Sequence, residues 1–313
     1  MKPIFKLLAN NKDVTDNINL NSSSITFKDE AGDLSDEISL TIEGSFKKPK
    51  YEDELKLWLG TQENGLFFCG IFKVQSSTYK DGNSRCIEVK ATATDFSKNL
   101  KIKRSLSYES ISIKKIVQMI ALRHELEVVS DFEDIFVLHV EQTSESDLHF
   151  LKRLADEYHA LFSIKNQKIV FKKKIKDNKK STSLPRFTLE VNENSTISIQ
   201  NINKTLYNSC KALWRDTKEN KQKSITVGFG EPIKVIKDSF ENEADARLKA
   251  TASLQKANAG TKLGSISSYG FVLYAGGILD LKGTIEDDGE YLIKSVNHKL
   301  DSSGWNIDIE IEN

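Results

Sequence analysis

Four side chains that can bind metal ions or transfer protons lie within one short predicted helix: His149, Asp156, Glu157 and His159. A helix that holds a metal ion usually carries its ligands about four positions apart, on one face. His149 and His159 are ten positions apart, and Glu157 and His159 only two. These spacings do not bring the ligands to one point. We therefore expect capping or solvent-facing roles, with a metal site as the minority alternative.

A second candidate is the glycine-rich stretch Gly228-Phe229-Gly230, which resembles part of a phosphate-binding loop. A dinucleotide-binding loop needs a third glycine and a helix that starts directly after it. Here Glu231 and Pro232 follow and no helix is predicted, so a structural turn is the better interpretation. The sequence contains no G-x-S-x-G element and no P-loop. We predict no catalytic, cofactor-binding or metal-binding residues.

Composition indicates a soluble, folded protein of two or three domains. The 313 residues include 45 basic and 45 acidic side chains, and the apolar set makes up 38%. Balanced charge gives no net attraction to nucleic acid or anionic lipid, so we predict no sequence-specific nucleic-acid partner. Cys69, Cys86 and Cys210 are far apart and odd in number, which predicts reduced thiols.

The N-terminal ten residues are too short an apolar stretch for a secretion signal, and they lack a small-residue cleavage pattern. No apolar run along the chain is long enough to span a bilayer. We therefore predict neither secretion by a signal peptide nor a membrane partner.

The stretch from Glu141 to Lys174 is predicted to be a helix followed by a tight β-hairpin. Ser144 with Asp147 forms a capping-box pattern, and Ser146 offers a second N-cap. The turn of the hairpin is predicted at Asn166-Gln167, between the β-prone runs 161–164 and 168–171. The apolar stripe of the helix consists of Leu148, Leu151, Leu154, Ala155 and Tyr158.

Hydrophobic patterning divides the chain into three predicted domains. Residues 1–100 alternate like the strands of a sandwich or barrel, residues 101–180 form a small α+β domain with a basic linker, and residues 181–313 resume the β pattern. The middle domain begins with an amphipathic helix near Ile113, capped by Ser110 or Ser112. In the last strand the alternation predicts one buried face: Trp305, Ile307, Ile309 and Ile311.

One long helix, predicted over 239–259, interrupts the C-terminal β domain. Asp238 or Ser239 would cap its start, and Ala259-Gly260 would end it. Its larger apolar side chains form only a narrow stripe, so its many alanines should allow a neighbour to approach closely. That stripe consists of Phe240, Ala244, Leu248, Thr251 and Leu254.

Several of these motifs together resemble the late control gene D family, the baseplate hub proteins of contractile-tailed phages. The same family is related to the N-terminal part of type VI secretion spike proteins. The first motif, in the helix of the 141–174 stretch, consists of Gln142, Ser146, Asp147, Phe150, Leu151, Leu154, Ala155, Glu157 and Tyr158. The second is the alanine-rich run from Ser239 to Lys256, which contains Glu243-Ala244.

The resemblance continues to the C-terminus, whereas the first hundred residues match only in being rich in β structure. The succession of motifs from about residue 140 onward is more specific than any one of them. The closing pattern consists of Gly264, Tyr269, Ala275, Gly276, Leu281, Gly283, Gly289, Glu290, Tyr291, Ile293, Val296, His298, Leu300, Gly304 and Trp305.

The resemblance implies a mainly β fold with an α+β part: two tail-tube-like β-barrel domains and a small α+β domain. It implies a non-enzymatic hub that forms a homotrimer, so that six similar barrels make a ring between the tail tube and the central spike. The implied partners are the spike protein and the tail tube or tape-measure protein. The implied location is the virion tail baseplate, after assembly in the host cytoplasm. Because the sequence ends at Asn313 without a spike domain, the spike is expected to be a separate protein.

Two alternatives of other classes stay open on the sequence alone. One is a tail-associated cell-wall hydrolase that uses dispersed carboxylates. The other is a carbohydrate-binding tail-tip protein, which would need exposed aromatic side chains. Trp58, Trp214 and Trp305 all fall within strand-like runs, which disfavours that second alternative.

Overall fold

The computed structural model describes residues 2–32, 35–44, 46–82, 85–93, 98–176, 179–180, 183–216 and 219–313. Strands dominate these residues, which confirms the mainly β prediction. The helices are α1 (Ile113–Arg123), α2 (Asp147–Glu157) and α3 (Glu243–Asn258), with short 3-10 turns at Thr15–Asn17 and Lys98–Lys101. The strands up to residue 93 are β1 (Pro3–Ala9), β2 (Lys12–Asp13), β3 (Ser24–Glu30), β4 (Glu37–Glu43), β5 (Glu54–Thr61), β6 (Gly65–Lys80) and β7 (Cys86–Ala93).

The remaining strands follow in two groups. Those of the middle region are β8 (Lys103–Ser112), β9 (Glu127–Ser130), β10 (Phe136–Ser146), β11 (Ala160–Lys165), β12 (Lys168–Lys173), β13 (Ile175–Lys176) and β14 (Lys179–Lys180). Those of the C-terminal region are β15 (Arg186–Glu190), β16 (Thr196–Asn201), β17 (Ser209–Asp216), β18 (Lys221–Gly228), β19 (Ile233–Phe240), β20 (Lys262–Tyr269), β21 (Ile278–Lys282), β22 (Gly289–Asp301) and β23 (Gly304–Glu312).

One large sheet combines strands from both ends of the chain. Its hydrogen-bonded path is β16-β20-β23-β22-β3-β4-β7-β6-β5-β1-β2, with β21 and β15 branching from β22. The join is the antiparallel pair β3–β22, in which Phe27 lies opposite His298. The buried side chains of the two halves also form one continuous cluster. The division into domains at residues 100 and 180 stays a prediction.

The hydrogen-bonded path of the described strands is open. It ends on β16 at one side and on β1 with the two-residue β2 at the other. Alternating side chains explain why each strand has one buried face. In β23 the predicted alternation is confirmed, since Trp305, Ile307, Ile309 and Ile311 are at most 6% exposed. Closure into two barrels is not seen in these strands.

The middle region packs α1 and α2 on the three-stranded sheet β11-β12-β9. Ser112 caps α1 and Ser146 caps α2, each by accepting a hydrogen bond from a backbone N–H three residues on. The hairpin β11–β12 turns at Asn166 and Gln167, as predicted. Both residues are at positive φ. Beyond β12, the basic segment contains the short pair β13–β14; residues 177–178 and 181–182 lie outside the described part.

A third, smaller unit consists of the sheet β18-β17-β19 with α3 packed on it. Two predictions for its helix are wrong. Strand β19 continues to Phe240 because that residue pairs with Trp214, so α3 starts only at Glu243 and its N-cap is Asn242. Ala244 of the predicted apolar stripe is also exposed. The predicted close packing through the alanines is confirmed, because Ala246, Ala250 and Ala252 are buried.

Cys69, Cys86 and Cys210 are free thiols. Among the described residues, no helix combines the length and the apolar character needed to cross a lipid bilayer.

The burial of β23 generates a first testable prediction. Ile309 is fully buried between Ile266 and Val296, so Ile309→Asp would place an unpaired carboxylate in the core. We expect a loss of several kcal/mol in the free energy of unfolding, measured by chemical denaturation. Glu310→Asp, which introduces the same side chain at the exposed neighbouring position, is the control. Wild-type stability of Ile309→Asp would contradict the burial of this face.

Candidate functional site

A buried cluster of three charged side chains lies where the middle region meets the large sheet. Asp29 is at the end of β3, Asp36 precedes β4, and Lys165 ends β11. The Asp29 and Asp36 side chains are 3% and 9% exposed, and that of Lys165 is 21% exposed. Charged groups are buried at this level almost only when they are paired. We call Asp29, Asp36 and Lys165 the junction cluster.

Contacts of the junction cluster tie three parts of the chain together. The Lys165 Nζ donates to Asp29 Oδ1 and lies 3.5 Å from Asp36 Oδ1. The second oxygen of Asp29 accepts a hydrogen bond of 2.8 Å from the backbone N–H of Ala275, 246 residues away. Asp36 accepts from the backbone N–H of Glu30 at 2.9 Å. The cluster therefore connects the N-terminal strands, the C-terminal region and the β11–β12 hairpin.

The charges and contacts of the junction cluster indicate a structural role. Burial lowers the pKa of Lys165 to about 7. The carboxylates of Asp29 and Asp36 beside the amine favour its charged form. A lysine of lowered pKa can act as a nucleophile only when its amine is free to reach a substrate. Here the Nζ is held between Asp29 and Asp36. The arrangement is an ionic lock between units.

Three of the side chains first considered for chemistry line one open cleft beside α3, where the two carboxylates are engaged in ion pairs. His149 is exposed, Asp156 pairs with Lys256 at 3.3 Å, and Glu157 pairs with Arg153 at 2.9 Å and with Lys249. Burial opposes ionisation of Glu157, but Lys249 and Arg153 together hold its pKa below the ordinary value. No group of three metal-binding side chains occurs within the ranges that the structure describes.

These ion pairs form a second contact, between α2 and α3. Lys249 lies 3.9 Å from the centre of the Tyr158 ring as well as against Glu157. A cation above an aromatic face is attracted by the ring quadrupole, and more strongly when both are partly buried. Burial raises the pKa of Asp245, which lies beside Tyr158 in the same contact. Lys249 thus holds the third unit against the middle region.

Asp147, a residue of the family-like motif, has a different role from the predicted one. The sequence suggested that it completes a capping box with Ser144, but Ser146 is the cap. The Asp147 side chain is 0% exposed and accepts from Arg123 at 2.8 Å and Gln142 at 2.8 Å, with His124 at 2.7 Å. Burial opposes its ionisation, whereas these partners lower its pKa. The motif residues therefore build a buried polar network.

His298, another motif residue, lies in an aromatic cluster at the β3–β22 join. Its ring stacks on Phe27 with centroids 5.5 Å apart, and Phe67 and Trp305 lie at 5.8 Å. Burial lowers the pKa of His298 to about 3, so the ring is neutral near pH 7. This position stabilises the join between the two halves of the sheet.

Sequence reasoning did not identify the junction cluster or Lys249. Asp29 and Lys165 are 136 residues apart in the sequence, and Glu157 and Lys249 are 92 residues apart. No local spacing signals such pairs. The Gly228-Phe229-Gly230 stretch forms the turn between β18 and β19, and a strand follows it.

Comparison with known proteins gives two related sequences, both named probable baseplate hub proteins. The chain is 29% identical over 236 residues to the protein of Escherichia phage 186, covering 72% of this chain and 60% of that protein. It is 26% identical over 227 residues to the protein of Escherichia phage P2, covering 71% and 58%. The match thus spans less than two thirds of either relative. No protein-family model matches the chain.

A solved structure with the same fold is the tail protein from Neisseria meningitidis MC58. It superposes with a TM-score of 0.73 over 100% of this chain and 97% of that one, at 9% identity. At this identity the likeness shows the fold.

Removal of the Lys165 charge tests the junction cluster. Lys165→Met would leave the Asp29 carboxylate buried without its cation, and we expect a loss of about 3–5 kcal/mol in the free energy of unfolding. Lys168→Met removes a surface charge that pairs with Glu127, and should cost about 0–1 kcal/mol. Asp29→Asn should recover part of the loss in a double variant. Equal effects of the two lysine changes would argue against the lock.

Acid stability tests the burial of His298. Its folded-state pKa of about 3 is below the unfolded value of about 6.5, so protonation of the unfolded chain destabilises the fold as pH falls between these values. His298→Phe cannot be protonated in the unfolded chain, so this destabilisation is absent from the variant. We expect its free energy of unfolding to increase relative to wild type by up to about 1.4 kcal/mol for each unit that the pH falls in this range. Denaturation at a series of pH values from neutral to acidic measures the difference. Parallel pH profiles would contradict the assignment.

Proposed function

We propose that this chain is a structural hub of a contractile-tail baseplate and belongs to the late control gene D group of such hubs. The observation that carries the proposal is the sequence match over 236 residues to a probable baseplate hub protein. The matched share of this chain, 72%, is too large for a single shared motif. The fold shared with a solved tail protein supports the same assignment.

The hub is a homotrimer in which the N-terminal and C-terminal halves of each chain form two similar, tail-tube-like β units, so that three chains place six units in one ring. An open sheet edge supports this arrangement. The outer edge of β16 carries backbone N–H and C=O groups that no described strand pairs. The outer edge of β1 is already covered in part, because Leu7 N–H donates to Thr15 Oγ1 and Leu7 C=O accepts from Val14 N–H. Such edges are a liability in a monomer and are satisfied when a neighbouring chain covers them.

The partners of the ring are the spike protein on one side and the tail tube or tape-measure protein on the other, within the virion tail baseplate and after assembly in the host cytoplasm. The role is non-enzymatic. In support, Glu157 and Asp156 of the first candidate site are engaged in ion pairs, and the junction lysine is held by two carboxylates. A neutral net charge also suits a passage through which nucleic acid must move without tight binding.

Mass measurement tests the proposal. We expect a trimer by light scattering at high protein concentration, or on addition of the tube and spike proteins encoded with this chain, and rings in negative-stain images. Added partners shift assembly by mass action, so both conditions belong to the test. A chain that stays monomeric in both conditions would remove the hub assignment. Clearing of cell-wall substrate on a zymogram, abolished by one carboxylate substitution, would favour the hydrolase alternative instead.

A further inference from the structure

The turn between β18 and β19 displays an aromatic side chain to solvent. This segment, Gly228–Pro232, is called the knob loop below. Its Phe229 is 95% exposed, although an exposed phenylalanine ring loses the free energy that burial would give. Aromatic side chains contribute much of the binding energy at protein interfaces, particularly where they enter a well-packed pocket on the partner.

The knob loop is fixed by its backbone. Phe229 N–H donates to Asn208 O at 3.1 Å, Asn208 N–H donates to Pro232 O at 3.0 Å, and Ser209 Oγ donates to Gly230 O at 2.7 Å. Gly228 has φ of 81°, and a Cβ there would lie 2.3 Å from Asn208 O, so only glycine fits. The ring is therefore displayed by a rigid turn, which reduces the entropy lost when a partner binds.

The same chain carries an apolar cavity of about 220 Å³ in its N-terminal strands. An apolar cavity of about 150 Å³ is large enough to hold benzene, so this one has room for a phenylalanine ring. Exposed Phe46 and Lys47 lie at its rim. Its deeper lining consists of Leu7, Ile18, Leu40, Leu55, Ile87 and Val89.

Charges at the two surfaces are complementary. Glu231, exposed in the knob loop, directly follows the glycine after Phe229, and Lys47 is the charged residue that lines the cavity. Opposite charges at the rim of a contact favour the correct orientation and reject like-charged surfaces. Within one chain Phe229 remains almost fully exposed, so its own cavity does not receive it.

We propose that Phe229 of one copy of this chain inserts into the N-terminal cavity of a second copy, with Glu231 beside Lys47. The contact joins two different patches, so it is heterologous and generates a ring when the rotation between copies closes. This inference rests on the proposed function, because it identifies the surfaces by which hub subunits associate. It places the third unit of one subunit against the N-terminal strands of the next.

Cross-linking tests the pairing directly. Glu231→Cys and Lys47→Cys are prepared separately in a Cys86→Ser background, because Cys86 is the half-buried native thiol. A short bis-maleimide is added to each variant alone and to their mixture at high protein concentration. We expect a covalent dimer in the mixture and none in either variant alone, since the two cysteines lie on different patches. Adding Phe229→Ala to the Glu231→Cys variant should abolish the product.

Sedimentation equilibrium tests the contribution of the ring. We expect Phe229→Ala to weaken self-association at least tenfold, as loss of a central aromatic contact does, with unchanged melting because the side chain is exposed. Ile285→Ala is the matched control, because Ile285 is also fully exposed in a loop. Its self-association should equal that of wild type.

Four results would overturn the inference. A mixture without cross-linked dimer, or Phe229→Ala that forms the wild-type trimer with wild-type affinity, would show that this contact is wrong while the hub assignment stands. Phe229→Ala that assembles normally but loses affinity for the tube or spike protein would assign the knob loop to that partner. A wild-type chain that never self-associates, alone or with those proteins, would remove both proposals.

Discussion

Pairing of β3 with β22 is the constraint on which the rest of the structure depends. It joins residues near the two ends of the chain into one sheet, and its centre is the stacked pair Phe27 and His298. The loop that this pairing closes contains the whole middle region and the third unit. Closing a long loop costs entropy that grows only slowly with length, so one well-packed join can hold a large insertion. The continuous buried cluster on both sides of the join supplies that packing.

The charged contacts then fix how the inserted units sit on this sheet. Asp29 lies on β3, one of the two strands of the join, and its carboxylate contacts both Lys165 and the backbone N–H of Ala275. A buried ion pair adds little net stability, since desolvation cancels much of the attraction, but removing one partner is costly. Such a pair therefore favours one orientation over others more than it raises stability. Lys249 has the same effect between α2 and α3, through Glu157 and Tyr158.

This distribution of charge suits a protein whose role is to hold geometry. Side chains that could serve chemistry, such as Glu157 and Lys165, are held by oppositely charged partners inside the molecule. Features at the surface include the unpaired edge of β16 and the rigidly displayed Phe229. Both are surfaces that gain free energy when another chain covers them. In the proposed hub, affinity between subunits would arise from these surfaces while the ionic contacts keep each subunit in one shape.

Local patterns in the sequence determined the mainly β class, the starts of α1 and α2 to within a choice of caps, the β11–β12 hairpin and the buried face of β23. These follow from periodicity, capping and turn chemistry, which act over a few residues. Only the tertiary structure decided that α3 starts at Glu243, because the pairing of Phe240 with Trp214 extends β19. It also decided the single open sheet and the Asp29–Lys165 contact. Strand partners and buried ion pairs form between residues that are far apart in sequence, and no local spacing encodes which of many similar strands or charges will meet.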